Sequence, residues 1–415
     1  MYRFCPIYNF WRPWARKRTQ AGRVHSLYAW SYVRYGYKGG PISRGRAVRR
    51  RLKLVFNSVL WPAALVLSAI RHTAEFGEPV KHRTGKGRLR QFGEQIRLGM
   101  MFSIPPRSYY WFRIFENSNQ ERADEFLHYH ENNYLLATAG RMDDQRKVLN
   151  KHEFADHCRR LDIPTVPIVA HLRREDILAG SGLSLDLPRQ SLFAKPARGG
   201  EGRGIVAWKY DGGDCYLDGD GLRLTAKQLN DELIKLAGTE SYIVQPKLEN
   251  HPSIADLSLW GLCTARIVTS RLPEREAVLV LAAFKMPGGR EVVDNFSHKG
   301  VACGVDVSTG ELIGPATRKH PACQLFTVHP DTGSSIDGRQ LPDWDQAVAA
   351  CLRGHEEMAD YPCIGWDVGF TPDGPVVIEG NVPMGFELSE IPTNIPLGGT
   401  SLGEALLGYA ARKGD

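Results

Sequence analysis

The stretch CIGWDVGFTPDGPVVIEGN, Cys363 to Asn381, decides how the rest of the chain is read. Pro372-Asp373-Gly374 is turn chemistry between two apolar, β-rich runs, the signature of a hairpin. With Asp373 at the apex, position 367 pairs with 379, so Asp367 and Glu379 oppose each other and Asn381 shares their face. Like charges directly opposed in a sheet are destabilising, and a cation between them removes the penalty. Two carboxylates and an amide carbonyl are hard oxygen ligands suited to Mg²⁺, which points to a nucleotide site. A one-residue slip of register, or a longer loop, would send the two acids to opposite faces, so the inference hangs on the turn.

Upstream, LFAKPARGGEGRGIVAWKY (192–210) places Lys195 at the end of one strand, then Gly199, Gly200, Gly202 and Gly204, then a second strand. Such a loop lets backbone N–H groups close on phosphate oxygens while the lysine supplies a point charge. It is not a Walker loop, because Gly-Lys-Ser/Thr is missing and a strand follows where a helix is required. YIVQPKL (242–248) reads as an apolar strand running into a connector suited to a flat base. TARIVTS (264–270) sets Arg266 among β-branched residues. A guanidinium there needs an anionic partner, either a phosphoryl oxygen or a structural carboxylate. Lys285 and Asn295 are placed to line the same cleft. His128 and His130, at i and i+2, do not share a helix face and read as solvated.

The 415 residues, 42% hydrophobic and 24% charged, are enough for two or three domains with a substantial core. The net charge of +7 hides an asymmetry: residues 1–74 carry fifteen Lys and Arg and no acid, so 38 basic against 46 acidic residues leave the remainder at −8. Eight scattered cysteines without a C-x-x-C pair read as reduced core thiols of a cytoplasmic protein. No signal peptide is expected. Residues 1–53 interleave cations with Trp and Tyr, the composition of an interfacial anchor, and Leu54 to Ile70 is a seventeen-residue uncharged run broken by Pro62. About 20 apolar residues are needed to span a bilayer, so this run is read as an in-plane membrane segment or a helix buried on the core before a spanning helix. The partner so implied is an anionic membrane surface at the inner face. Nucleic acid is disfavoured because the rest of the chain is acidic.

Helices are expected over Glu116 to Ala139, Asn150 to Leu161, Thr225 to Ala237, Asp343 to Tyr361 and Ser401 to Lys413. Strands are expected over 165–170, 192–195, 205–210, 242–246, 264–269 and 277–285. Without strict βαβ alternation the class is α+β. The ordered set Lys151, Lys195 with its glycines, Gln245, Arg266, then Asp367, Glu379 and Asn381 resembles the ATP-grasp superfamily. NKHEFADHCRRLDIPTVP, FAKPARGGEGRGI, YIVQPKLENHPSIADL, TARIVT, VDNFSHKGVACGVDVSTGEL and VVIEGNVPMGFE together resemble its sugar-transfer-associated branch, related to α-L-glutamate ligases, over roughly 110–412.

The resemblance implies ATP clasped between two α+β subdomains in a domain at 141–412, with a lid at about 192–245; the basic arm (1–74) lies outside the resemblance, and a helical linker region (75–140) follows it. It implies that Lys151 and Lys195 hold the α- and β-phosphates, that the glycine loop covers the triphosphate, and that Gln245 to Leu248 meet the adenine. Arg266 would steady the transferred phosphoryl group, and Asp367, Glu379 and Asn381 would carry Mg²⁺, with Mn²⁺ as an alternative. The activity implied is carboxylate–amine-type ligation, in which an acyl phosphate formed on a carboxylate is transferred to an amine or similar nucleophile, with small-molecule or glycan-linked substrates, in glycan or peptide-like metabolite biosynthesis. A sugar or polyol kinase and a non-enzymatic membrane-associated scaffold are the alternatives. One departure is Lys299, where the family pattern leads us to expect glycine.

Overall fold

A computed structural model describes residues 19–34, 42–128, 131–139, 150–178, 185–198, 204–289, 291–292, 294, 296, 299–319, 324–358 and 360–414. The expected loop residues Gly199, Gly200 and Gly202, together with Asn295 and His130, lie outside that set.

The described residues of the N-terminal third form helices: α1 (Gln20–Arg34), α2 (Arg44–Thr84), α3 (Arg88–Phe102), α4 (Pro106–Trp111), α5 (Asn117–Glu121) and α6 (Asn132–Ala139). α7 (Lys151–Arg160) begins where Asn150 caps it, its side chain accepting from the backbone N–H groups of His152 and Glu153. Next come β1 (Ala170–Leu172), α8 (Arg174–Leu178), β2 (Leu192–Pro196), β3 (Val206–Gly212), β4 (Cys215–Leu217), β5 (Arg223–Thr225), α9 (Ala226–Ala237) and β6 (Tyr242–Pro246). The strands β7 (Thr264–Arg271), β8 (Ala277–Met286), β9 (Val301–Val305), β10 (Leu312–Thr317) and β11 (Leu325–Phe326) follow. The chain ends with α10 (Trp344–Glu356), β12 (Cys363–Thr371), β13 (Gly374–Asn381), α11 (Glu387–Thr393) and α12 (Ser401–Gly414).

Two antiparallel sheets organise these elements. Six strands run in the order β1-β6-β2-β3-β4-β5, and seven in the order β11-β10-β9-β8-β7-β12-β13. On the small sheet Leu192, Ala194, Tyr242 and Val244 pack beneath α9 with Leu229 and Leu233. The alternation of strand side chains therefore leaves Phe193, Lys195, Ile243 and Gln245 on the opposite face. On the large sheet Ile267, Phe284, Cys303 and Trp366 face α7 and α10. The other face carries Val268 and Leu281 against α1, α6 and α12. Beside them Ala302 packs with Phe296, Ile391 and the aromatic Tyr109, Tyr110, Trp111, Phe112 and Phe115.

The described part of the N-terminal segment is thus no detachable arm. Val24, Tyr28 and Leu54 share a core with Leu402 and Leu406 of α12, and Trp61, Leu65 and Ala69 of α2 are buried as well. The helix expected over 116–139 is two short helices with a turn between them. His128 is buried, not solvated, with its ring stacked 5.7 Å from that of His25. All six described cysteines are free, and five of them are buried.

Candidate active site

The hairpin that opened the reading forms, and it reaches the expected register by another route. Thr371 pairs with Gly374, so Pro372 and Asp373 form a two-residue turn and the ladder starts one position off the apex assumed above. Gly374 takes φ +110°, a conformation open to glycine and strained for other residues. A bulge between Asp367 and Val368 then absorbs Ile378 and restores the pairing of Asp367 with Glu379. The slip and the bulge cancel, and the two carboxylates oppose each other.

The charge opposition is met first by the chain itself. Arg266 lies directly across from Asp367 on the neighbouring strand. Its Nε and Nη2 donate to Oδ1 and Oδ2 of Asp367 at 2.7 and 3.0 Å, a bidentate pair. Gly365 makes room, since a Cβ there would sit 3.1 Å from Cδ of Arg266. Lys285 Nζ lies 3.0 Å from Asp367 Oδ1 and 3.3 Å from Asp294 Oδ2. Asn381 donates through Nδ2 to the carbonyl of Gly365 at 3.2 Å and to Asp367 Oδ2 at 3.4 Å. Both oxygens of Asp367 are therefore engaged. Burial favours its neutral form, but Arg266 and Lys285 outweigh that and hold the carboxyl well below the usual range.

Asp294 has the opposite fate. Burial pushes its pKa up, Lys285 offsets only part of that, and Asp367 adds to it. The hydroxyl of Thr264 also donates to Asp294 Oδ2. Two carboxylates sharing one ammonium are thus driven apart, one firmly ionised and one inclined to keep a proton. Asp294 was missed by the sequence reading, which stopped at the adjacent Asn295. The signal available was an acid set in an apolar run, Val292-Val293-Asp294, beside that asparagine.

Glu379 joins the two sheets electrostatically. It makes no direct ion pair among the described residues, yet its charge acts on Lys151, Lys195 and Arg266. Burial lowers the pKa of Lys195 to about 8, with Glu379 working against the shift and Lys151 adding to it. Burial lowers Lys151 as well. The backbone N–H of Lys151 bonds to the carbonyl of Ala197, just beyond Lys195, which ties α7 to the end of β2. Gln245, on the same face of the small sheet as Lys195, donates to the carbonyl of Val166 at 3.1 Å. Its side chain holds the junction between sheets, and Leu248 is half-buried in the connector beyond. Lys299 is exposed and pairs with Glu291 at 3.5 Å.

The structure therefore joins Arg266, Lys285, Asp367 and Asn381 in one set of direct contacts, with Glu379 opposite Asp367 in the ladder and acting through its charge on Lys151 and Lys195. Among the described residues no cluster of three or more His, Cys, Asp or Glu is arranged to hold a metal alone. Mg²⁺ fits on other terms: the carboxylate of Glu379 and Oδ1 of Asn381, whose Nδ2 is occupied, are hard donors of the kind that share the ion with nucleotide phosphates.

Among solved structures, a carboxyaminoimidazole ribonucleotide synthetase in its ADP complex is similar at 13% identity and TM-score 0.34, over 62% of this chain and 51% of that one. D-alanine–D-alanine ligase from Helicobacter pylori is similar at 9% identity and TM-score 0.37, over 66% and 61%. A D-cycloserine synthetase is similar at 15% identity and TM-score 0.36, over 74% and 82%. The chain thus spans about half to three-fifths of the length of the first two. No curated protein matches it. The sugar-transfer-associated ATP-grasp family matches residues 141–400, well over half of the chain and all of the site residues just described, and the protein belongs to that family.

Proposed function

We propose that the protein is an ATP- and Mg²⁺-dependent ligase that joins a small-molecule or glycan-linked carboxylate to an amine. The observation supporting this reading is the contact set of Arg266 and Lys285 on Asp367, with Glu379 paired to Asp367 in the ladder and acting through its charge on Lys151 and Lys195. A set of cations so placed suits a triphosphate, and phosphoryl transfer from ATP to a substrate carboxylate needs no protein nucleophile, because positioning and charge neutralisation carry it.

In this reading Lys151 and Lys195 hold the α- and β-phosphates and the segment 245–248 meets the adenine. The substrate carboxylate oxygen attacks the γ-phosphorus, the bond to the β–γ bridging oxygen breaks, and ADP leaves. The amine nitrogen then attacks the acyl carbon, the carbon–oxygen bond to phosphate breaks, and the amine proton passes to solvent. Arg266 and Lys285, held in place by Asp367 and Asp294, face the charge that develops on the transferred group. Mg²⁺ held by Glu379 and Asn381 would neutralise phosphate charge.

The test is an ATP-consumption screen across amino acids, sugar acids and nucleotide sugars, with mass spectrometry of the products. Free phosphate together with an amide product supports the ligase. Phosphate retained on a hydroxyl acceptor would make the protein a kinase, and no ATP turnover with any acceptor would sink the enzymatic reading.

A further inference from the structure

We propose that the outward face of α2 docks the protein in the plane of an anionic phospholipid surface. Residues 44–84 form one helix with two unlike sides. One side, through Leu54, Trp61, Leu65 and Ala69, is buried on the protein. The other presents Leu52, Phe56, Val59, Val66, Leu67 and Ile70, and of these Phe56, Val59 and Leu67 are 62%, 72% and 69% exposed. Leu52, Phe56, Val59, Val66 and Ile70 follow one another at three, four or seven residues, with Leu67 beside Val66, which puts them on one stripe away from the buried side. An uninterrupted apolar stripe on a surface helix marks a docking site.

Charge selects the occupant. Exposed Arg49, Lys53 and Arg71 border the stripe on one side and Arg51 on the other, and no acid occurs in the chain before Glu75. A second copy of this face would bring cations against cations, whereas anionic headgroups complement them. Five further cations, between Arg3 and Arg18, precede the helices in sequence. Among the described residues no single helix is long and apolar enough to cross a membrane. The two halves of α2 pass that test only together, with a 58° bend between Asn57 and Val59. The bend has a cause, since Pro62 has no N–H for the carbonyl of Ser58 and its ring crowds that group. A bent helix with one side fixed to a protein core suits insertion in the interface, by an apolar face and basic borders acting together.

The experiment uses the full chain and flotation with vesicles of phosphatidylglycerol and phosphatidylcholine in equal parts. The protein should float with these vesicles at low salt, release partly at high salt, and bind poorly to pure phosphatidylcholine. Phe56→Glu combined with Leu67→Glu should cut vesicle affinity roughly a hundredfold while leaving the melting temperature unchanged, as expected for exposed side chains. The proposal is overturned if the wild-type chain stays unbound at low salt or if the double variant floats as well as wild type. It also fails if light scattering without lipid shows a dimer that the double variant splits, which would make the face a contact between copies.

Discussion

Lys195 is the residue on which binding chemistry and burial meet most directly. Its ammonium is held at about pKa 8 by burial, so it is charged below that pH and increasingly neutral above it. If it grips phosphate, ATP affinity should weaken as pH rises through about 8, and calorimetry across that range should show the slope. Lys195→Ala should weaken ATP binding by about 2 to 3 kcal/mol and flatten the slope. An unchanged affinity would remove Lys195 from the site. Glu379 is the complementary case, because its charge acts on Lys151 and Lys195 while it makes no ion pair among the described residues. Glu379→Gln should lower turnover by about a hundredfold or more and blunt the response to Mg²⁺, while the protein stays folded because a carboxylate opposed to Asp367 has been neutralised. Full activity in that variant would remove Glu379 from the proposed site.

At the scale of elements, the packing of α10 on the large sheet depends on one neutral imidazole. Trp366 Nε1 donates to Thr269 Oγ1 at 2.9 Å, which lies 2.8 Å from His355 Nδ1, and His355 Nε2 lies 3.0 Å from the carbonyl of Tyr361. Burial lowers the pKa of His355 from 6.5 to about 4. Between those values the unfolded chain takes up a proton that the folded chain refuses. The contribution is therefore complete above about pH 6.5 and is lost as pH falls toward 4, by about 3 kcal/mol in all. Urea midpoints at pH 7 and pH 4.5 should show a larger acid loss in wild type than in His355→Gln. Equal losses would mean that this imidazole does not control the packing. Elements such as α7, β6 and α9 were legible in advance because an Asn cap, an apolar run and a Thr cap act within a few residues. The strands β9 and β10 were not. Their apolar residues read as strands only once the rest of the sheet supplies neighbours.

Over the whole molecule, composition alone suggested an appendage at 1–74, and packing makes much of it structural. Val24, Tyr28, Leu54, Trp61 and Leu65 are all buried. Each fully buried large apolar side chain contributes about 1.5 to 3 kcal/mol, so a chain lacking residues 1–74 should aggregate or melt far below the full-length protein. A soluble truncation with an unchanged melting temperature would show that these contacts are dispensable. What the amino-acid sequence determined by itself was local: turn residues, caps, strand alternation, and the order of Lys195, Arg266, Asp367 and Glu379 along the chain. Those follow from interactions a few residues apart. The tertiary structure decided that a bulge at Ile378 cancels a slip at the turn, and that Arg266 and Lys285 both pair with Asp367. It also decided that α2 buries one side and exposes the other. Each of those depends on which strand or helix lies alongside, a matter of contacts between residues tens to hundreds of positions apart, which no local pattern encodes.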